Sequence, residues 1–250
     1  MHNSDSPDID ALRARIAALE TELTALRRTQ SIFALGLSHD LHAPLRAVES
    51  FSYLLEQRAD ALDPQARDYL HRIRDASARM AHLLARLQTW MHASHATAAR
   101  DDVDVSMLAD WCIAELRDAT PDRDADIAIA IAADLRVIGD ERLLRTALQE
   151  LLHNAWSYAR PGTRVSIRIE GERTHDGFHL RIHDAGIGID PAHVAKLCEP
   201  FQRAHVSEHP GTGLGLAIAR AVAERHGGTL HLDQAATGGT IAHLHLPETT

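Results

Sequence analysis

The chain has 250 residues, enough for one large domain or two modest ones. Its 26 Lys and Arg residues against 35 Asp and Glu residues give a formal net charge of −9 with histidine neutral. This acidic balance argues against nucleic acid and anionic membrane surfaces as partners, because the long-range field repels both. The sequence has no run of about 18 apolar residues, so we expect no membrane span. Cys112 and Cys198 lie far apart and outside any CxxC motif, which favours a reducing compartment such as the cytoplasm.

The first 30 residues carry apolar side chains at alternating spacings of three and four. The series is Ile9, Leu12, Ile16, Leu19, Leu23 and Leu26. This spacing is typical of a coiled-coil seam, although an amphipathic helix that packs on its own chain shares it. We expect the helix to start at Ser6-Pro7-Asp8, and we interpret residues 1–30 as a coiled-coil coupler.

Residues 31–95 carry the pattern of two long helices. The first apolar series continues to about Leu54, and Pro64 suits the first position of a second helix. The second helix carries its own 3-4 series of Leu70, Ile73, Ser77, Met80, Leu84, Leu87 and Met91. A lone helical hairpin leaves part of its apolar surface in water, whereas two hairpins bury that surface as a four-helix bundle. We therefore predict a homodimer.

After a small, polar linker near 93–102, strand patterns alternate with helical patterns. Strands are predicted by alternating apolar residues at 127–131, 165–169, 178–182 and 241–246. Helices are predicted near 104–119, 140–158 and 213–226. This alternation predicts an α/β two-layer sandwich in residues 103–250.

Glu150 and Asn154 lie one turn apart on the predicted helix 140–158. A carboxylate stacked on an amide oxygen suits Mg²⁺, which takes a few protein oxygens and completes its shell with phosphates and waters. A solvated Glu/Asn pair on a helix surface has the same spacing, so this pattern alone leaves both interpretations open.

Two glycine-containing segments carry the remaining candidate site residues. Asp184-Ala185-Gly186-Ile187-Gly188 follows a strand, and an Asp at that point suits recognition of the exocyclic amine of a flat heterocycle. An ordinary Asp-Gly turn is the alternative. Gly211-Thr212-Gly213-Leu214-Gly215-Leu216 runs into a helix, whose exposed N–H groups and positive end suit phosphates. The segment matches neither the Walker nor the GxGxxG pattern.

In this order and spacing, the motifs resemble the ATP-binding domain of sensor histidine kinases, part of the Bergerat-fold (GHKL) class shared with gyrase, mismatch-repair and chaperone ATPases. The segments that carry the resemblance are Asn154-Ala155, Asp184-x-Gly186-x-Gly188, Glu199-Pro200-Phe201, Gly211-Thr212-Gly213-Leu214-Gly215-Leu216 and Gly238-Gly239-Thr240. Ser38-His39-Asp40-Leu41-His42-Ala43-Pro44-Leu45 resembles the phospho-acceptor box of the dimerisation domain in its phytochrome-type variant. The resemblance implies a dimeric four-helix bundle in 31–95, the dimerisation and histidine phosphotransfer domain, and a Bergerat-fold ATPase domain in 103–250.

The resemblance also implies residue roles. His39 would attack the γ-phosphate of ATP, and Asp40 would accept a proton from the other ring nitrogen. Asn154 would hold Mg²⁺, and Asp184 would bind the adenine amine. Further nucleotide contacts are expected from Tyr158, Gly186, Gly188, Phe201, Arg203, Gly211, Thr212, Gly213, Leu214, Gly215, Leu216 and Thr240. Residues 199–210 would form a lid in which Arg203, His205 and His209 supply positive charge.

Three positions depart from the usual pattern of this family. Glu150 stands where Asn is usual and where gyrase-like ATPases have a Glu base, so we hypothesise that it serves Mg²⁺ or activates a nucleophile. Ser157 stands where Lys is common, so a phosphate contact falls to Arg160 or to lid residues. Ala43 replaces the usual Thr or Asn that orients water, which predicts weak phosphatase activity toward the partner.

The sequence therefore predicts a cytoplasmic, homodimeric protein-histidine kinase core. It would use Mg-ATP to phosphorylate His39 and pass the phosphoryl group to an Asp of a response-regulator receiver domain. Two alternatives remain: a Bergerat-fold ATPase whose helical half only dimerises, and a non-catalytic dimeric scaffold that binds a receiver domain. Coupler, hairpin and ATP domain use all 250 residues, so we expect the signal to come from an upstream sensor domain or from a partner at residues 1–30.

Overall fold

The structure is a computed structural model that describes residues 6–58, 62–121, 127–160, 162–203, 211–235 and 238–248. Within these ranges, the side chains of residues 6–10, 20, 23–39, 191, 192 and 195 are not described. The chain divides into two compact units, Met1–Met91 and His92–Thr250. In the described part, no helix is both long and apolar enough to cross a membrane.

Two long helices account for the first unit. Helix α1 spans Ser6–Glu56, with Pro44 inside it, and helix α2 spans Pro64–His95. The Asp63 carboxylate accepts a hydrogen bond from the Ala66 N–H at 2.7 Å, so it caps α2 while Pro64 occupies the first turn. The predicted start of α2 at Pro64 is confirmed, and Ser6, the predicted start of α1, is also the first residue that the structure describes.

Burial in the hairpin repeats every seven residues. On α2, Leu70, Ser77 and Leu84 are buried, and on α1, Leu45 and Ser52 are buried. A seven-residue repeat returns to the same side of a helix, so each helix has one fully covered stripe. The first apolar series is therefore correctly predicted as helical, and half of the α2 series lies in the hairpin core.

In its described residues, the second unit combines a mixed sheet with helices that follow α2. In chain order its elements are β1 (Asp101–Asp104), α3 (Val105–Ala119), β2 (Ile127–Ile131), β3 (Arg136–Gly139), α4 (Glu141–Ser157), β4 (Val165–Thr174), β5 (Gly177–Asp184), α5 (Pro191–Leu197), α6 (Gly215–Arg225), β6 (Thr229–Gln234) and β7 (Thr240–Leu246). Five strands form one sheet in the order β2-β4-β5-β7-β6, in which β2 and β4 are parallel and the other pairs antiparallel. β1 and β3 form a separate antiparallel pair.

One face of the five-stranded sheet is covered by helices. Burial alternates along β5, where Phe178, Leu180 and Ile182 are buried and the residues between them are half-buried. Helix α4 packs against α6 on one side and α3 on the other, and also contacts β4 and β5. Fully buried side chains from both layers form the core, among them Leu108, Leu148, Leu152, Ile167, Ile169, Leu180, Ile218 and Leu244. The arrangement agrees with the predicted α/β sandwich.

Half of the predicted linker at 93–102 lies in secondary structure. Helix α2 continues to His95, and β1 begins at Asp101. Between them, the Ala96 carbonyl accepts a hydrogen bond from Arg225 Nε at 2.8 Å, and the Ala99 N–H donates to the Asp140 carboxylate at 2.9 Å. The connection is thus short and bonded to the second unit.

Candidate functional site

The end of β5 carries a carboxylate that organises three chain segments. Asp184 Oδ1 accepts hydrogen bonds from the Gly186 N–H at 2.8 Å and from the Thr240 N–H at 3.0 Å. Burial raises the pKa of this carboxyl above its usual value, against the opposing effect of the hydrogen bonds from Gly186 and Thr240. The structure therefore holds Asp184, Gly186 and Thr240 together, as the sequence predicts for one binding site.

Two glycines are required here because other backbone atoms come too close for a side chain. A Cβ on Gly186 would collide with the Tyr158 carbonyl oxygen, and one on Gly239 would collide with the Asp184 carbonyl. Gly239 also has φ of 139°, a conformation that L side chains rarely adopt. The Tyr158 carbonyl accepts a hydrogen bond from the Ile187 N–H at 3.0 Å. The end of α4, the loop after β5 and the start of β7 therefore meet at Asp184.

Arg160 bridges the two glycine loops around Asp184. Its Nε donates to the Gly186 carbonyl at 3.0 Å, and an Nη donates to the Gly238 carbonyl at 3.5 Å. The sequence suggests Arg160 as a substitute for the missing lysine at Ser157; these carbonyls take two of its five N–H donors, and the suggested phosphate contact stays a prediction. The role of Arg160 in the structure is to fix the loops. Sequence reasoning misses this role, because the two contacts span 26 and 78 residues along the chain.

The Phe201 segment and the glycine segment before α6 are joined by their backbones. The Phe201 N–H donates to the Gly213 carbonyl at 2.9 Å. Both residues have positive φ, 65° for Phe201 and 70° for Gly213, and a Cβ on Gly213 would lie 2.8 Å from Phe201. The Phe201 side chain is 56% exposed, so its unusual backbone conformation is not explained by burial of its ring.

The start of α6 presents backbone N–H groups. Leu214, the N-cap residue, is fully buried, and α6 has no side-chain cap from the described residues. Uncapped N–H groups at a helix N-terminus, preceded by Gly211-Thr212-Gly213, suit an anion. The predicted buried stripe of Leu214, Ile218 and Val222 is confirmed.

Glu150 and Asn154 lie one turn apart on α4, as predicted. The Glu150 side chain is only 7% exposed, and Asn154 is half-buried. The alternative of a solvated surface pair therefore does not hold for Glu150. A buried carboxylate one turn from an amide is a donor set that fits a hard divalent cation such as Mg²⁺.

Several predicted site residues lie wholly or partly outside the described residues. The backbone of His39 lies in α1, but its side chain is outside the described residues, as are His205, His209 and the rest of 204–210. Asp40 is exposed on α1, Arg203 is half-buried, and Gly188 has φ of 79° next to Gly239. The assigned roles of these residues in catalysis and nucleotide binding stay predictions.

Two family profiles match successive parts of the chain. The profile described as His Kinase A (phospho-acceptor) domain matches residues 29–90. The profile described as Histidine kinase-, DNA gyrase B-, and HSP90-like ATPase matches residues 139–250. A solved structure of the mycobacterial sensor histidine kinase MprB is 32% identical, with a TM-score of 0.50 over 60% of this chain and 97% of that one. The chain therefore belongs to the sensor histidine kinase family.

Individual relatives extend the similarity to most of the chain. Phytochrome-like protein Cph1 of Synechocystis is 30% identical over 86% of this chain and 29% of its own length. The sensor-like histidine kinase SenX3 of Mycolicibacterium smegmatis is 31% identical over 92% of this chain and 60% of its own length. The chain thus spans less than two thirds of these relatives. The crystal structure of full-length ShkA in complex with AMPPNP is similar in fold, with 22% identity and a TM-score of 0.64 over 87% of this chain and 46% of that one.

Proposed function

We propose that the chain is the transmitter core of a two-component protein-histidine kinase. It binds ATP in the second unit, transfers the γ-phosphoryl group to His39, and then passes it to an Asp of a response-regulator receiver domain. The observation that carries the proposal is the Asp184 carboxylate, fixed by the N–H groups of Gly186 and Thr240, in a chain that also has the His39 acceptor box. The proposed domains are a coupler at 1–30, the phosphotransfer domain at 31–95 and the ATP-binding domain at 103–250.

The pocket around Asp184 has the groups that adenine recognition needs. The half-buried Asp184 carboxylate suits a hydrogen bond from the exocyclic amine, and the missing side chain at Gly186 lets the loop after β5 pack closely against the Tyr158 carbonyl. The glycines before α6 and the N–H groups of its first turn then bind the phosphates. The similarity in fold to ShkA, which was solved with AMPPNP, supports a nucleotide as the ligand.

Glu150 and Asn154 are the residues that we propose to hold Mg²⁺. The burial of Glu150 and its spacing from Asn154 support this assignment. When bound, Mg²⁺ supplies positive charge that offsets the charge of the ATP phosphates. The protein's own contribution is to hold one carboxylate and one amide oxygen on a rigid helix.

His39 is the proposed nucleophile. The lone pair of one neutral ring nitrogen attacks the γ-phosphorus, the P–N bond forms, and ADP leaves with the electrons of the P–O bond. Asp40, the next residue on α1, accepts the proton of the other ring nitrogen, so the phosphorylated ring is left neutral. A P–N bond is labile, so phosphorylated His39 serves as a carrier between ATP and the receiver domain.

Exposed apolar side chains on the first unit support a homodimer. Leu12, Ile16 and Leu19 are 59%, 55% and 51% exposed, although their spacing is that of a coiled-coil seam. On α2, Ile73 and Met80 alternate with the buried stripe and are about half exposed. Each helix has one apolar stripe covered and one open to water, as expected for half of a four-helix bundle.

We place the protein in the cytoplasm, where ATP is supplied and where a receiver domain is accessible. Cys112 and Cys198 are both free and buried, which agrees with a reducing compartment. Residues 1–30 are the proposed connection to an upstream sensor domain or to a signalling partner.

Incubation with γ-³²P-labelled ATP and Mg²⁺ tests the proposal. We expect acid-labile, base-stable label on the wild-type chain and on His42→Gln, and no label on His39→Gln. His42 is the matched control because it lies in the same acceptor box, one turn from His39. Phosphate release without any protein label would favour the ATPase alternative. Failure to bind an ATP analogue, with receiver binding intact, would favour the scaffold.

A further inference from the structure

The uncovered face of the five-stranded sheet is rich in histidine. Because side chains alternate along a strand, the register of the sheet places five histidines on the face opposite the helices. They are His179 and His183 on β5, His231 on β6, and His243 and His245 on β7. The adenine and phosphate groups proposed above do not use any of them. Two pair singly with carboxylates, His183 with Glu170 at 3.3 Å and His243 with Asp233 at 3.1 Å.

One group on this face brings three ligand side chains together. Asp176, in the turn between β4 and β5, lies beside His179 of β5 and His245 of β7, which are register partners. We call these three residues the histidine cluster. One ligand atom from each lies within 4.8 Å of the other two. His179 Nε2 is 3.0 Å from Asp176 Oδ1, and His245 Nε2 is 3.8 Å from Asp176 Oδ2.

We propose that the histidine cluster binds a divalent transition-metal ion of the Zn²⁺ class. Two imidazole nitrogens and one carboxylate form a donor set that suits zinc, copper or nickel and that Mg²⁺ disfavours. His179 Nε2 faces the Asp176 carboxylate, whereas His245 Nε2 lies 3.1 Å from the Asp176 backbone carbonyl oxygen and 3.8 Å from the carboxylate. The set supplies three protein ligands and leaves a position for water or another donor.

The separations fit the size of a zinc coordination sphere. With Zn–N near 2.0–2.1 Å and tetrahedral angles, two ligand atoms lie roughly 3.3–3.4 Å apart. The distance from His179 Nε2 to Asp176 Oδ1, 3.0 Å, is close to this value, and the distance from His245 Nε2 to the other carboxylate oxygen, Oδ2, exceeds it at 3.8 Å. The imidazole rings are stacked, with centroids 4.5 Å apart and planes at 25°, so their in-plane nitrogen lone pairs run nearly parallel and at least one ring must rotate for both nitrogens to bind one ion.

Surrounding groups hold the carboxylate and leave the ion accessible. The Thr174 hydroxyl donates to the Asp176 carboxylate, which orients it toward the two rings. The side chains of Asp176, His179 and His245 are 50%, 32% and 24% exposed, so an ion reaches them from solvent without any opening of the core. The bound ion ties the β4–β5 turn to the end of β7.

The histidine cluster lies at the opposite end of β5 from the proposed nucleotide pocket. His179 and Asp184 are five residues apart on the same strand, which corresponds to about 17 Å. Metal binding is therefore separate from ATP binding. The effect expected is greater stability of the second unit, because the ion binds only when all three residues are in place.

Zinc titration of the full, metal-stripped chain in competition with a chromogenic zinc indicator tests the proposal. We expect one zinc ion per chain, bound at least about tenfold more weakly by His179→Gln and by His245→Gln. His231→Gln removes a histidine from the same face outside the cluster and should leave the affinity unchanged. Zinc should also raise the thermal midpoint of the wild-type chain, and Mg²⁺ at the same concentration should not.

Equal zinc affinity in wild type, His179→Gln and His245→Gln would overturn the proposal, since it would mean diffuse binding by the many histidines of the chain. A second measurement uses only the wild-type chain, so it does not require that the variants fold. Co²⁺ added to the wild-type chain should give the intense visible bands of a low-coordinate nitrogen and oxygen site. The spectrum of aqueous Co²⁺ alone would contradict the cluster.

Discussion

Replacing Asp184 with asparagine separates the binding role of this carboxylate from its effect on stability. Asparagine keeps an oxygen that can accept the two hydrogen bonds that Asp184 accepts from the N–H groups of Gly186 and Thr240, at 2.8 and 3.0 Å. It removes the charge, and it puts an amide donor where the adenine amine needs an acceptor. A charge-assisted hydrogen bond contributes about 1.5–3 kcal/mol, so nucleotide affinity should fall about 10- to 150-fold.

The free energy of unfolding should respond in the opposite direction. Burial raises the pKa of Asp184 above its usual value. A carboxyl whose pKa is raised in the folded state contributes to the free energy of unfolding. This contribution is fully present below the pKa of the unfolded chain and is lost as pH rises through the pKa of the folded chain. At pH 7 the ionised carboxylate therefore lowers stability, and Asp184→Asn should be at least as stable as wild type. This advantage should shrink as pH falls toward about 4 and disappear well below it, where the carboxyl is protonated in both states.

Calorimetric titration with ADP and urea unfolding at pH 7 and pH 4 measure the two effects. Asp190→Asn is the matched control, because it removes the same charge from an exposed side chain on the same loop. Unchanged ADP affinity in Asp184→Asn would refute the assignment of adenine recognition. A large loss of stability at pH 7 would refute the argument from burial.

Three further predictions concern other parts of the second unit. Arg160→Ala should weaken nucleotide binding about fivefold in the same titration, since one net hydrogen bond contributes about 1 kcal/mol. Arg160→Lys should restore the affinity only in part. Full affinity in Arg160→Ala would contradict the proposed bridge between the two loops. Burial raises the pKa of the Cys112 thiol to about 11 and also raises the pKa of the Cys198 thiol. A disulfide reagent at pH 8 should therefore label both thiols slowly in the native chain and rapidly in guanidinium. Fast labelling of the native chain would be inconsistent with the burial of these thiols. Glu150→Gln should lower autophosphorylation and ATP turnover without loss of fold, as judged by circular dichroism, and normal rates of both would exclude a role for this carboxylate.

Long periodic elements were predictable from the sequence, and short ones were not. Helices α1, α2 and α4 each repeat their apolar pattern over several turns, so their positions follow from spacing alone. Strands β1 and β3 have four residues each, too few for a period to emerge. β1 is moreover rich in Asp, which is unfavourable in strands, and its pairing with β3 is accompanied by an ion pair from Arg136 to Asp102 at 2.8 Å.

Some residues of the candidate site were also predictable from the sequence, and others were not. Asp184 and the glycines near it were predictable, because a short motif after a strand carries their chemistry. The bridge by Arg160 was not, because its partners lie far along the chain and are backbone carbonyls that leave no mark in the sequence. The histidine cluster also depends on register, since only the pairing of β5 with β7 brings His179 and His245 together.

Transfer of label to a receiver domain tests the central claim, that His39 carries a phosphoryl group from ATP to an aspartate. The chain is first labelled with γ-³²P-ATP, freed of nucleotide, and then mixed with a panel of purified receiver domains. We predict that label leaves the chain within seconds to minutes for one receiver and appears there in a base-labile form, as expected of an acyl phosphate. Label that stays on the chain with every receiver, or that forms equally well on His39→Gln, would contradict the account.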